Sequence, residues 1–240
     1  MSGPGHRLSG ALTAHSLLGA GLSAAHSLRA RGLRRTLLFG ALGSGIPILG
    51  ELLAVNVLKV LRHHARPQAG GVPLAIALGW YNVGYGTYAV MESIVGATGP
   101  HGDENPALVP ATALAATSLD LLLDPCGLDV GLWEWNGDGP YASEVEGPNG
   151  YRGVPLLNYA GWISLLTSVT LAYQLLEPQR RATGAPGPWA AGGPQAGRGA
   201  ALLLLSYYLP AAAWTLKQRR PKHLIYAAPF AAALWKALKG

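Results

Sequence analysis

Charged residues along the chain fall in clusters, and the stretches between them are long and apolar. No Lys, Arg, Asp or Glu lies within residues 8–28, 67–91 or 153–176; residues 36–58 are interrupted only by Glu51 and residues 105–123 only by Asp120. A helix that crosses a bilayer needs about 20 mainly apolar residues, so each stretch predicts a transmembrane helix. Residues 199–216 supply a sixth. Residues 223–238 supply a shorter seventh, which Lys222 and Lys236 extend by snorkelling. The pattern predicts an all-α, polytopic transmembrane bundle of six to seven spans, a single multi-pass domain of the cell membrane over residues 1–240. Residues 183–197, rich in Gly and Pro and free of charge, read as a flexible link.

Two segments repeat at matched spacing. Gly71-Val72-Pro73-Leu74 precedes Gly79-Trp80, and Gly153-Val154-Pro155-Leu156 precedes Gly161-Trp162. Each Pro stands where a helix begins, a position that needs no backbone N–H. Each copy follows a span with a carboxylate in its later half: Glu51 in one case, Asp120 and Asp124 in the other. This predicts an internal parallel repeat of two spans, with all three acids toward one membrane face.

Composition supports the membrane reading. Charged residues make up 12% of the chain, about half the roughly 25% usual in soluble domains. The 33 Gly and 18 Pro are better tolerated in membrane helices than in soluble ones. The net charge of +6 is spread over loops, which disfavours nucleic acid as a partner. Lys and Arg divide evenly between the two sides, so the positive-inside rule sets no orientation. Arg7 alone precedes the first apolar stretch, which reads as a span rather than a removable signal peptide. A single cysteine, Cys126, excludes an internal disulfide and a cysteine metal cage. The histidines form no clustered box of the di-iron kind, and His63-His64 reads as part of a basic loop with Lys59, Arg62 and Arg66.

Asp120 and Asp124 are four residues apart and so share one helix face. An ionisable group at this depth is a functional candidate by default. Two carboxyls close together in low dielectric do not both ionise easily, so one is expected to carry a proton. A neutral carboxylic acid facing an apolar cavity can protonate an alkene. The plainer reading is a helix-ending turn at Asp124-Pro125 with Asp120 capping locally. Glu51 is either a base that orients water or an interfacial residue paired with Lys59 or an Arg. Trp133, Trp135 and Tyr141 are aromatic groups of the kind that stabilise cations by about 0.5–2 kcal/mol each, or an interfacial belt. Tyr81, Tyr85, Tyr88 and Glu92 form one stripe, lining a groove for a long apolar chain or packing against a neighbouring helix. Asn158 is an interhelical hydrogen-bonding group or a water positioner.

Residues Thr117 to Trp162 resemble the membrane carotenoid biosynthesis proteins that include the carotenoid 1,2-hydratases and bisanhydrobacterioruberin hydratase. The likeness is carried by Asp120-Leu-Leu-Leu-Asp124-Pro125, Gly131-Leu-Trp133-Glu-Trp135, Gly139-Pro-Tyr141 and Gly153-Val-Pro155-Leu-Leu-Asn158-Tyr-Ala-Gly161-Trp162. Glu51 and Gly71-Val-Pro73 through Trp80 fit as well. The resemblance implies hydration of the terminal isoprenoid double bond of an acyclic or C50 carotenoid, without metal, nucleotide or redox cofactor. It points to Asp120, Asp124 and Glu51 as catalytic residues and to Trp133, Trp135, Tyr141, Asn158, Trp162 and Trp80 around the substrate; the tyrosine stripe adds Tyr85. Carotenoid, membrane lipid and other enzymes of carotenoid synthesis are the partners it implies.

The chain departs from the family pattern in two places. Ala142–Arg152 is an insertion, leaving Tyr141 or Tyr151 in the place of the family tyrosine. His63, His64 and Arg66 replace the usual glycine and tyrosine pattern after Glu51. Two other functions fit parts of the sequence. Asp120-x3-Asp124 could bind Mg²⁺-diphosphate in a prenyltransferase, though the companion Asn-Asp-x-x-Asp motif is missing; a non-catalytic carotenoid carrier would use the acids only in packing.

Overall fold

Helices dominate the structure, a computed structural model that describes residues 4–96, 105–176 and 190–239. α1 (Pro4–Arg31) and α2 (Leu33–Leu52) are separated by Gly32 alone, whose φ of 82° lies in the left-handed region that favours glycine. α2 continues through a π-helical turn, Leu53–Val57. Next come β1 (Leu61–His63), β2 (Gln68–Ala69), β3 (Val72–Pro73), α3 (Leu74–Val95) and α4 (Leu108–Asp129). β4 (Trp133–Trp135), β5 (Tyr141–Glu146), β6 (Arg152–Val154) and α5 (Leu156–Leu176) follow. α6 (Pro194–Lys217), α7 (Lys222–Tyr226) and α8 (Ala228–Lys239) complete the chain.

Three helices, Leu33–Val57, α4 and α6, are long and apolar enough to cross a membrane. α1, α3 and α5 have spanning length, with 28, 22 and 21 residues. α3 is the central helix: every residue from Trp80 through Val90 is buried, among α1, α2, α4 and α6. Its small residues allow the close approach, since a Cβ at Gly86 would come 2.9 Å from Leu204 of α6. Outward-facing leucines such as Leu37, Leu49 and Leu175 are largely exposed. Such faces suit hydrocarbon surroundings.

The structure corrects several expectations. The fold is not purely α: three short antiparallel strand pairs, β1–β4, β2–β3 and β5–β6, join the helices. Residues 67–73 and 153–155 are therefore not helical, and α3 and α5 begin at the leucine after each Gly-Val-Pro. The fourth helix does not stop at Asp124-Pro125 but runs on to Asp129. Residues 194–197 of the expected flexible link open α6, with Pro194 at the first position, where its missing N–H costs nothing; residues 183–189 lie outside the described residues. Residues 223–238 form two helices that break at Ala227.

Arg29, Arg31, Arg34 and Arg35, which separate the first two apolar stretches of the sequence, lie within α1 and α2 and not in a loop. Arg31 is buried and its Nη2 lies 2.5 Å from Oε2 of buried Glu92. The Tyr85, Tyr88 and Tyr173 rings surround its guanidinium at 5.0–6.0 Å. The tyrosine stripe of α3 thus encloses a buried ion pair.

A proline inside a helix leaves the carbonyl four residues earlier without its N–H partner. For Pro125 that carbonyl belongs to Leu121, and the Tyr141 hydroxyl donates to it over 2.6 Å. Burial pushes the Tyr141 phenol well above its ordinary range, so it stays a donor. Tyr151, by contrast, is 47% exposed. Residues 142–152 make up most of the β5–β6 hairpin. It is tied to α7 by Glu144, 2.8 Å from Lys222 and 2.9 Å from His223. Burial pushes Glu144 up, but the Lys222 hydrogen bond and charge outweigh it and hold the carboxyl below its usual range.

Candidate active site

At one end of the bundle α2, α4 and α5 bring three acids to a single cavity of about 530 Å³. Asp120 and Asp124, one turn apart on α4, are both buried. The Asn158 side-chain amide, from the first turn of α5, donates to Oδ2 of Asp120 at 2.7 Å and to Oδ2 of Asp124 at 2.8 Å. One amide therefore joins the two carboxyls. Asp124 accepts a second hydrogen bond on Oδ1 from the Trp133 indole. The buried Trp135 N–H interacts with the same carboxyl and makes no hydrogen bond among the described residues.

Glu51 enters from the last turn of α2. Its Oε1 accepts from the Trp80 indole at 2.9 Å and its Oε2 meets Nε2 of His63 at 2.8 Å. Among the described residues its partners are Trp80 and His63, not Lys59 or an arginine. The Trp80 ring packs on Trp162 of α5, with centroids 4.0 Å apart.

Strand pairing explains how His63 and the two tryptophans arrive. β1 and β4 are antiparallel, with Leu61 opposite Trp135, Arg62 opposite Glu134 and His63 opposite Trp133. Side chains alternate faces along a strand. Leu61, His63, Trp133 and Trp135 therefore line the cavity, while Arg62 and Glu134 face the other way and pair at 3.4 Å. Trp133 also needs Gly127 on α4, where a Cβ would fall 2.0 Å from its ring. The hairpin after it is equally tight. A Cβ at Gly139 would lie 2.1 Å from the Val154 carbonyl carbon, which accounts for the Gly-Pro-Tyr segment opposite Gly153-Val-Pro.

Away from the acids the wall is apolar, built from Leu8, Ala11 and Leu12 of α1, Ile76 and Val83 of α3, and Pro210 and Ala211 of α6. His15, Ser206 and Tyr207 stand at this side, with His15 Nε2 3.1 Å from the Ser206 hydroxyl. The cavity is thus mainly apolar along α1 and α6 and carries its carboxyls on α2 and α4.

Of the residues singled out from the sequence, Asp120, Asp124, Glu51, Trp133, Trp135, Asn158, Trp162 and Trp80 meet around this cavity. Tyr141 and Tyr85 do not line it. Tyr141 supports α4 from behind, and Tyr85 lies in the core with its hydroxyl 2.7 Å from Nδ1 of His26. The sequence reads His63 as part of a basic loop; the structure buries it beside Glu51. The signal for it was the alternation of Leu61 and His63, which takes on meaning only once β4 lies opposite.

The profile of a family described as carotenoid biosynthesis protein matches residues 12–188. No curated protein and no solved structure matches the chain.

Proposed function

The chain belongs to the carotenoid biosynthesis protein family and is a membrane protein, and from this premise we propose that it is a multi-pass carotenoid hydratase of the cell membrane. It adds water across the terminal isoprenoid double bond of an acyclic or C50 carotenoid and gives a tertiary alcohol. The observation that carries this reading is the pair of buried carboxyls, joined by Asn158, at the end of an otherwise apolar cavity. Asp124 accepts from two N–H groups and Asp120 from one. Hydrogen bonds to the charged form favour it, so Asp124 takes the negative charge and Asp120 keeps the proton.

Asp120 delivers that proton to the less substituted alkene carbon. The tertiary cation forms against Trp133 and Trp135, whose ring faces stabilise positive charge. Water held near Glu51 captures it. A cavity of about 530 Å³ suits the end group of the polyene, while the remainder lies along α1 and α6 or in lipid. The N–H donors on Asp120 and Asp124 support a proton-carrying pair over a magnesium-diphosphate site, whose ligands would need those oxygens free.

The test is expression of the full chain in a host that accumulates an acyclic carotenoid. Pigment heavier by one or two water molecules, absent with Asp120→Asn, is the expected result. Unchanged pigment with wild-type protein in the membrane would sink the hydratase reading in favour of a carrier.

A further inference from the structure

The carboxylate oxygens of Glu51 and Asp124 are already engaged, which makes them weaker bases toward water. Both oxygens of Glu51 hold N–H donors, as do both oxygens of Asp124. Asp120 carries the proton for the alkene. His63 is different. Its Nε2 is engaged by Glu51 at 2.8 Å, while its Nδ1 is buried with no hydrogen-bond partner among the described residues. The side chain is 3% exposed, and the ring lines the cavity edge-on to Trp133 at 6.2 Å.

A carboxylate accepting from one ring nitrogen fixes the imidazole tautomer. With the proton on Nε2, shared with Glu51, the lone pair is on Nδ1. Nδ1 is then the unpartnered acceptor of a ring that lines a cavity holding three acids, and water entering there is the donor available to it. Antiparallel pairing of His63 with Trp133 puts this nitrogen's ring beside the indole that binds Asp124.

We propose that His63 is the general base of the hydration, with Glu51 as its positioning residue; this rests on the hydratase reading above. The alkene π pair takes the Asp120 proton and forms the new C–H bond, leaving a tertiary cation. A water lone pair forms the C–O bond, and the water's surplus proton passes to Nδ1 of His63. That proton then returns through solvent to the Asp120 carboxylate. One water is consumed and no oxidant or reductant takes part. The chemistry resembles the base–orienter pairs that activate hydroxyl nucleophiles elsewhere.

The experiment uses membranes carrying the full chain, incubated with an acyclic carotenoid in D₂O. Alcohol and deuterium in the recovered alkene are both read by mass spectrometry. Wild type gives deuterated alcohol. His63→Gln keeps an N–H for Glu51 but lacks a basic nitrogen. Its alcohol yield should fall about 10²-fold or more, while deuterium still enters the recovered alkene, because Asp120 forms a cation that reverts. Asp120→Asn should lose both signals. Glu51→Gln, which replaces the carboxylate that fixes the tautomer with a neutral amide, should follow His63→Gln and serves if that variant is missing from the membrane.

Alcohol at the wild-type level in His63→Gln would overturn the assignment. So would joint loss of alcohol and deuterium entry in a variant with wild-type melting behaviour. Wild type that forms no alcohol removes the hydratase reading itself, and His63's role with it.

Discussion

The Tyr141 hydroxyl donates to the Leu121 carbonyl over 2.6 Å, and this carbonyl is the one that Pro125 leaves without an N–H partner. A side chain from the β5–β6 hairpin therefore allows α4 to run past its proline with Asp120 and Asp124 in register. Tyr141→Phe keeps the ring but leaves a buried acceptor unsatisfied, at a cost of about 1–3 kcal/mol. The expected result is a lower melting midpoint in detergent micelles together with reduced alcohol formation. An unchanged midpoint would show that water serves this carbonyl equally well.

Gly127 offers a test of how Trp133 is held. A Cβ there would overlap the ring at 2.0 Å, so Gly127→Ala must displace the indole and break its bond to Asp124. Overpacking of this kind costs about 1–3 kcal/mol. Tryptophan fluorescence should shift toward that of a solvated indole, with alcohol yield falling in parallel. A wild-type emission spectrum would contradict the packing described here.

Asn158 supplies an amide that both carboxyls share. Asn158→Leu is nearly the same size and removes both hydrogen bonds, leaving the two acids to face each other without a common donor. General acid catalysis contributes about 10²–10⁴-fold, and a large part of that should disappear while the protein remains in the membrane. Retention of wild-type turnover would mean that the two acids do not work as a pair.

The Arg31–Glu92 pair lies apart from the cavity lining and makes a prediction of a different kind. Removing one member of a buried pair costs about 3–5 kcal/mol, whereas replacing both by apolar residues of similar volume is often neutral. Arg31→Met should therefore lower thermal stability sharply, and the Arg31→Met, Glu92→Met double variant should recover most of the loss. Alcohol formation should follow the amount of folded protein in both. If the double variant is as unstable as the single one, the tyrosines around Arg31 depend on the charge itself.

Much of the fold could be read from spacing. The uncharged stretches mark where the long helices run, because a helix in hydrocarbon satisfies its own backbone hydrogen bonds and needs only apolar side chains. Pro73 and Pro155 mark where α3 and α5 begin, since Pro needs no N–H there. Asp120 and Asp124 show themselves as candidates by their four-residue separation on an apolar helix. These are local properties, and the chain alone carries them.

What the chain alone could not supply depends on partners distant in sequence. The β1–β4 pair, the passage of α4 through Pro125 and the inward turn of His63 each need a partner some 20 to 74 positions away, at Tyr141 or on β4. Whether Arg31 was loop charge or buried cation was decided by Glu92 on another helix, and whether Tyr85 faced the cavity or the core was decided by His26. Sequence determined which segments are apolar, where helices start and which acids stand on one face. Tertiary structure decided which buried polar groups meet, because in a low-dielectric interior a charged or hydrogen-bonding side chain takes its role from whatever group satisfies it.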